Sequence, residues 1–391
     1  MNWDDTIIDA AATDTGMRRA NNQDSHTSVR ASHAAAWRSR GHVFMVADGM
    51  GAHAVGELAS KMACDLIPHT YLKARAGTPS EAITKAFREV SSLIYSRASA
   101  NRDFQGMGTT CSALVLLPEG ALISHVGDSR VYRCRNNRID QFSFDHSLVW
   151  ELVRRNHLTS EQASVSVPKN VITRSLGPEV DIEVDIEGPL ALQAGDVFLL
   201  CSDGLSGPVD DHEIGAFAAN FHPRDACRYL IALANLRGGL DNITVQIVRI
   251  GQWIDPDSAE VHNEQPRTPA NGGSRAHKSL MSRLAGLFKP GRRIATVPPD
   301  DEHPYRTAEC PIDDALIDRL EELTRNAQEQ AIAQAWSVDW TTLATLRREA
   351  ADARSSGNRR IALRKIGEIM TLLGEAARFY RKTAGSTPFY H

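Results

Sequence analysis

No apolar run in the 391 residues approaches the ~20 that a membrane-spanning helix needs. The N-terminal stretch MNWDDTIIDA carries acids where a secretory signal would open with basic residues and an apolar segment. Neither sign of charge dominates: the formal net charge is -4, which offers no global attraction for nucleic acid or a lipid surface. Six cysteines, at 64, 111, 134, 201, 227 and 310, contain no CxxC pair. That scatter excludes a zinc knuckle and a disulfide framework, and reads as reduced thiols of a cytoplasmic protein. No internal repeat of about 30 to 45 residues is present, which excludes a solenoid.

What is present changes character near Ile254. Before it, GHVFMVADG, TTCSALVLL, ALISHVGDSRVYRC, GDVFLLCSDG and NITVQIVRI are rich in Val, Ile, Leu and Phe and end at Gly, Asp or Asn. These read as short buried strands. Two helical stretches lie between the first two, GELASKMACDLIPHTYLKA and PSEAITKAFREVSSLIYSRASA. In the second, Ile83, Phe87, Val90 and Ile94 recur at helical spacing, with Ser80 as a candidate cap. Residues 255–311 hold eight prolines and read as a disordered linker. Within it, residues 278–293 put five basic residues and no acids around a short apolar face. Contact with an anionic membrane or a docking partner is a minority reading there, and plain linker is favoured. From 312 to 391 the pattern is helical, with Ala362, Ile366, Ile369, Leu373, Ala376 and Tyr380 on one stripe. The stripes of these two or three helices must be buried on one another, on the preceding domain or on another chain; the favoured reading is a tethered bundle that recruits a partner or pairs protomers, with a self-contained bundle as the alternative.

The strand-like runs share one oddity: Asp48, Asp128, Asp203 and Asp241 each stand at the end of an apolar run, and Asp24 follows NNQ. Singly, each reads as a turn residue bonding its own backbone. Together, at the ends of strands that share a sheet, they would crowd like charges that need a counter-ion. The cation that suits several carboxylates, a carbonyl and water is Mg2+ or Mn2+.

The motifs GMRRANNQD, ADGMGAHAVGELAS, GMGTTCSALVL, SHVGDSRVYRCRNN, DHSLVWELV, NVITRSLG, FLLCSDGL and LDNITVQIV occur in the order found in the metal-dependent protein phosphatases. Over residues 4–251 the chain resembles the bacterial branch of this family, the type 2C serine/threonine phosphatases. The resemblance implies an α+β fold with two packed antiparallel sheets flanked by helices, an αββα sandwich, here followed by an all-α segment. It implies hydrolysis of phosphoserine and phosphothreonine by a hydroxide bridging two Mn2+ or Mg2+ ions, with a weaker third ion. Asp48 would bridge the two metals, Gly49 would lend its carbonyl, and Asp203 and Asp241 would hold the first ion. Asp128 would join Asp203 at the third, and Asp24 would act through water. Arg19 takes the position of the phosphate-binding arginine, where a planar fork meets two phosphate oxygens. Phosphorylated proteins and a cognate Ser/Thr kinase pathway are the implied partners.

Two positions depart from the pattern. Met50 stands where many eukaryotic members have a histidine proposed as general acid, and Ala52 stands where glycine is usual. His53 is the neighbouring candidate for a proton donor, and His146 reads as structural. Residues 153–177 align with the family's mobile flap. An alternative reading is a phosphatase-fold signalling module that acts mainly through its C-terminal helices. A metal-dependent phosphodiesterase fits less well, since the acidic balance offers no polyanion groove.

Overall fold

The computed structural model describes residues 7–51, 55–154, 171–257 and 304–384. Ala52 and His53, the middle of the flap, and residues 278–293 lie outside the described residues. Two compact units result, residues 1–253 with 303–391 and residues 254–302. Among the described residues no helix is long and apolar enough to cross a membrane.

The first unit is built on two antiparallel sheets. One runs β1 (Ile7–Asp14), β11 (Ile243–Ile250), β10 (Val197–Cys201), β7 (Arg130–Arg135), β8 (Arg138–Gln141) and β12 (Arg306–Glu309). The other runs β2 (Asp24–Val29), β3 (His42–Met50), β5 (Cys111–Leu117), β6 (Gly120–Val126) and β9 (Asp185–Leu190), with β4 (Gly108–Thr109) paired to the end of β3.

Side chains alternate across a strand, and here both alternating sets are buried. In β3, Phe44 and Val46 enter the layer between the sheets with Leu114, Leu116, Phe198, Leu200 and Val248. Val43, Met45 and Ala47 face outward onto α2 (Val55–Lys73) and α3 (Pro79–Ala100), against Ile67, Tyr71, Ile83 and Phe87. This double burial is why the strands read as continuous apolar runs. The run ALISHVGDSRVYRC divides between the sheets: β6 belongs to one and β7 to the other, with Gly127–Ser129 crossing between them. α3 is capped by Thr78 and not Ser80. Pro79 occupies the first turn, the Thr78 hydroxyl accepts from Glu81 N at 3.2 Å, and the Glu81 carboxylate accepts from Thr78 N at 2.8 Å.

Outside the other sheet lie α6 (Asp211–Asn220) and α7 (Pro223–Leu236), after the short α1 (Ala34–Arg40), α4 (Leu148–Arg154) and α5 (Asp203–Ser206). In α7, Tyr229, Leu230, Ile231, Ala232, Leu233 and Ala234 are all buried, so the later half of the helix is apolar on every side, while Arg224 and Arg228 of its first half are exposed. Its inner side meets the sheet. Its outer side meets α10 (Arg359–Ala384), against which α8 (Asp314–Ala333) and α9 (Trp340–Ser355) pack in turn. Leu316, Ile317, Leu320, Ala362, Leu363, Ile366 and Met370 share one core with Phe217, Phe221 and Leu230. Gly367 permits the closest approach: a Cβ there would stand 2.7 Å from the Tyr229 ring.

The helices expected as a tethered bundle are thus a layer on the phosphatase-like sandwich, and the stripes expected to meet a partner or second copy are covered within the chain. The stretch expected as linker to 311 ends earlier, in β12. Tyr305 N bonds Gln141 O at 2.9 Å, and Arg306–Glu309 pair with β8.

Candidate metal and phosphate site

One end of the sandwich gathers the aspartates. Asp24 and Asp48 are direct partners in the β2–β3 ladder. Asp128 sits in the crossing between the sheets, Asp203 opens α5, and Asp241 lies two residues before β11. The backbone of Asp48 is fixed by the last residue of β4 and the residue that joins it to β5: its N–H donates to the Thr110 hydroxyl at 2.9 Å, and its carbonyl accepts from Thr110 N and the Thr109 hydroxyl. Gly204 lets α5 approach the strand that follows Asp241, since a Cβ would fall 1.9 Å from the Asn242 carbonyl. Gly49 N bonds Gln23 O at 3.1 Å, which ties the two strand ends together.

Burial and mutual repulsion act on these carboxyls together. Burial first, then Asp24, Asp203, Asp128 and Asp241, raises the Asp48 carboxyl well above the usual range. Burial raises Asp24 to about 7 and, with Asp203 adding repulsion, Asp128 to about 8. Asp203 is raised by burial and by Asp241, and a hydrogen bond with Asp48 works against the rise. The side chains do not form a finished cage: among the described residues no three His, Cys, Asp or Glu groups stand at metal-ligand spacing. They turn to other donors. Asp24 accepts from the Ser202 and Thr244 hydroxyls at 2.8 and 2.7 Å. Asp241 accepts from Arg19 at 2.7 Å. Yet Asp24 Oδ1, Asp128 Oδ1 and Asp203 Oδ1 are buried with no hydrogen-bond partner. Orphaned acceptors among crowded carboxyls fit a divalent cation.

Arg19 is half exposed and its guanidinium is raised by the Asp241 bond, so it remains a cation at the rim. His146 organises the turn before Asp128. Its Nδ1 accepts from Gly127 N and its Nε2 faces Asp185, both at 2.9 Å, which matches a structural histidine. The thiols are protonated: burial pushes Cys201 up to about 12 and Cys111 well above its usual value. Neither is a nucleophile. Beside the aspartates opens a cleft of about 710 Å3 lined by Asp128, Arg130, Trp150, Asp203, Asp241 and Arg306.

Sequence reasoning missed the residues that hold the aspartates. Ser202 and Thr244 ligate Asp24. Asn242 accepts from Gln23 N at 2.8 Å and donates to Thr15 and Asn21 carbonyls at 3.0 and 2.9 Å. Ser202 and Asn242 are adjacent to a recognised acid and Thr244 lies three residues after Asp241, and that nearness was the available signal.

A sequence model described as protein phosphatase 2C matches residues 17–232. Protein phosphatase PhpP of Streptococcus pneumoniae is 34% identical over 245 residues, covering 61% of this chain and 96% of that protein. The serine/threonine phosphatase PstP/Ppp of Mycobacterium tuberculosis is 32% identical with a TM-score of 0.55, covering 63% of this chain and 100% of that structure. A catalytic domain of PstP solved with two manganese ions is 33% identical with a TM-score of 0.53, covering 63% and 99%. The family model spans more than half of the chain and includes Asp24, Asp48, Asp128 and Asp203, and on that ground the chain belongs to the protein phosphatase 2C family of metal-dependent serine/threonine phosphatases.

Proposed function

We propose that Asp48, Asp203, Asp241, Asp128, Asp24 and the Gly49 carbonyl hold divalent cations, Mn2+ or Mg2+, two in the core and a weaker third at Asp128 and Asp203. The observation that carries this reading is the set of orphaned, buried carboxylate oxygens on Asp24, Asp128 and Asp203. Bound cations would supply a water of lowered pKa and neutralise charge on the reacting phosphate. The chain's own residues do the rest. Arg19 leaves Asp241 to receive two oxygens of a phosphoserine or phosphothreonine, a planar fork on a planar face. Thr109 and Thr110 hold the Asp48 main chain, so the carboxylate cannot drift as charge builds. Met50 has no proton to give, so protonation of the leaving oxygen falls to water or to a group outside the described residues.

The substrates are phosphoproteins of a Ser/Thr kinase pathway, met in the cytoplasm; six free, buried thiols suit that reducing compartment. Residues 1–254 act as the catalytic unit and the helices from 312 onward as its added layer. The test is hydrolysis of a phosphoserine peptide with Mn2+, with Mg2+ and with chelator, alongside Arg19→Ala. Activity should vanish with chelator. Arg19→Ala should raise KM about 10-fold or more with unchanged Mn2+ affinity by calorimetry. Loss of Mn2+ binding in that variant would make Arg19 part of the metal scaffold instead.

A further inference from the structure

The loop that carries Arg19 is gripped from behind by the last helix. β1 ends on Asp14, which is 9% exposed. Its Oδ1 accepts from Gly16 N at 2.9 Å and from the Asn235 side chain of α7 at 3.1 Å. Its Oδ2 meets Arg378 of α10 at 2.5 Å. Gly16 lies against the Asp241 main chain, where a Cβ would stand 2.1 Å from the Asp241 carbonyl. Met17 N bonds Gly239 O at 2.7 Å, and Met17 packs against the apolar cluster of the C-terminal segment that contains Trp336, Leu373 and Ala377. Two residues on, Arg19 reaches Asp241.

An ion pair, a turn and a methionine anchor therefore link α10 to the phosphate-facing arginine. Asp14 needs this partner: it is a buried acid whose other oxygen is already spent on the turn, and an unpaired charge there would be costly. The 14–19 loop is otherwise short and ends on an exposed side chain, so its precision depends on what fixes its base.

We propose that Arg378 is a positioning residue for phosphate binding: through Asp14 it sets the loop so that Arg19 faces the aspartate cluster, which makes the C-terminal helices a determinant of substrate affinity. The inference rests on the reading of Arg19 as the phosphate ligand. It predicts a split between binding and turnover, because Arg378 touches neither substrate nor metal ligands.

The experiment uses the full chain with Mn2+. KM and kcat for a phosphoserine peptide, and inhibition by inorganic phosphate, are measured for Arg378→Ala, Arg378→Lys, Asp14→Asn, Arg19→Ala and the Arg19→Ala/Arg378→Ala double variant. Arg378→Ala should raise KM and the phosphate inhibition constant together by about 3- to 10-fold with kcat nearly unchanged. Arg378→Lys should recover most of that, and Asp14→Asn should repeat the split if Arg378→Ala folds poorly. On the Arg19→Ala background, Arg378→Ala should add nothing further. If Arg378→Ala and Asp14→Asn leave KM unchanged while Arg19→Ala raises it, the loop is held without this pair and the inference falls alone. If Arg378→Ala multiplies the Arg19→Ala effect, or lowers kcat instead of raising KM, it acts by another route and the inference also falls. If Arg19→Ala itself leaves KM unchanged, the phosphate role of Arg19 fails first and takes this route with it.

Discussion

Acids are buried in two regions of this molecule, and their surroundings differ. Glu213, in α6, is fully buried, and Arg237 meets both its oxygens at 2.5 and 2.8 Å, with Arg319 of α8 at 3.7 Å. It lies beside the apolar seam where α7, α8 and α10 interlock. At the mouth of the sandwich, Arg19 bonds Asp241, Arg130 lies near Asp128 and Asp203 but is bonded to Asp145, and three of the five aspartates keep an oxygen with no hydrogen-bond partner. A matched ion beside an apolar seam holds the fold. Unmatched ions of one sign weigh against it, and are tolerable only because a cation can reclaim the energy on binding. The helical layer therefore stabilises the body, while the mouth reserves interaction energy for ligands.

The sharpest test of that contrast is an isosteric change at the mouth. Asp48→Asn should lower phosphatase turnover by about 1,000-fold or more, since a ligand charge is lost at the reacting centre. Asp203→Asn should do likewise and Asp128→Asn less. The same Asp48→Asn change should raise the melting temperature of chelator-treated protein by ~2–4 °C, because it removes a carboxyl whose ionised form burial and four neighbouring acids disfavour. A chelated Asp48→Asn protein that melts lower would dissolve the contrast. At the seam the signs reverse. Leu363→Ala should cost about 2–5 kcal/mol in urea unfolding, with activity per folded molecule unchanged.

The smallest effect concerns pH. His125 is buried beside His146, with Nε2 placed on the Gly127 and Phe144 carbonyls at 2.9 and 3.0 Å and Nδ1 on the Ser112 hydroxyl. Burial, aided by His146 and opposed by Asp185, lowers it to about 3. The unfolded chain then binds a proton that the folded chain refuses. Stability should fall as pH drops from about 6.5 toward 3, by up to about 1.4 kcal/mol per pH unit. Urea midpoints between pH 7 and 4.5 measure the slope, and His125→Gln should remove this component while lowering stability overall.

Legibility in the sequence followed the same divide. β3, β5, β10 and β11 were readable because both faces are buried and their apolar runs are unbroken. β1 was not: IIDAAATD is alanine-rich and only partly buried, and its strand state comes from pairing with β11 residue for residue. β12 was hidden likewise, since RTAE has no apolar period and only β8 makes it a strand. The aspartates were visible because an acid at the end of a buried strand contradicts its setting, and their order matched a known family. Their hydroxyl partners, Ser202 and Thr244, looked like ordinary strand residues. Docking of the C-terminal helices on the sandwich was one of three open options and not the favoured one, although α7 carried a signal for it: six consecutive apolar residues, 229–234, leave that half of the helix no polar side, so it needs a second cover.

β12 also bears on how copies of this protein treat one another. Without it β8 would end its sheet, and a bare row of peptide groups above the buried Ile139 would invite a strand from a neighbouring molecule. The chain returns after residue 303 and covers that row with four residues, of which Arg306 and Glu309 are exposed and opposite in charge. So short and charged a border is a poor template for further strands. The segment that delivers the helices thus also keeps this sheet from growing between molecules.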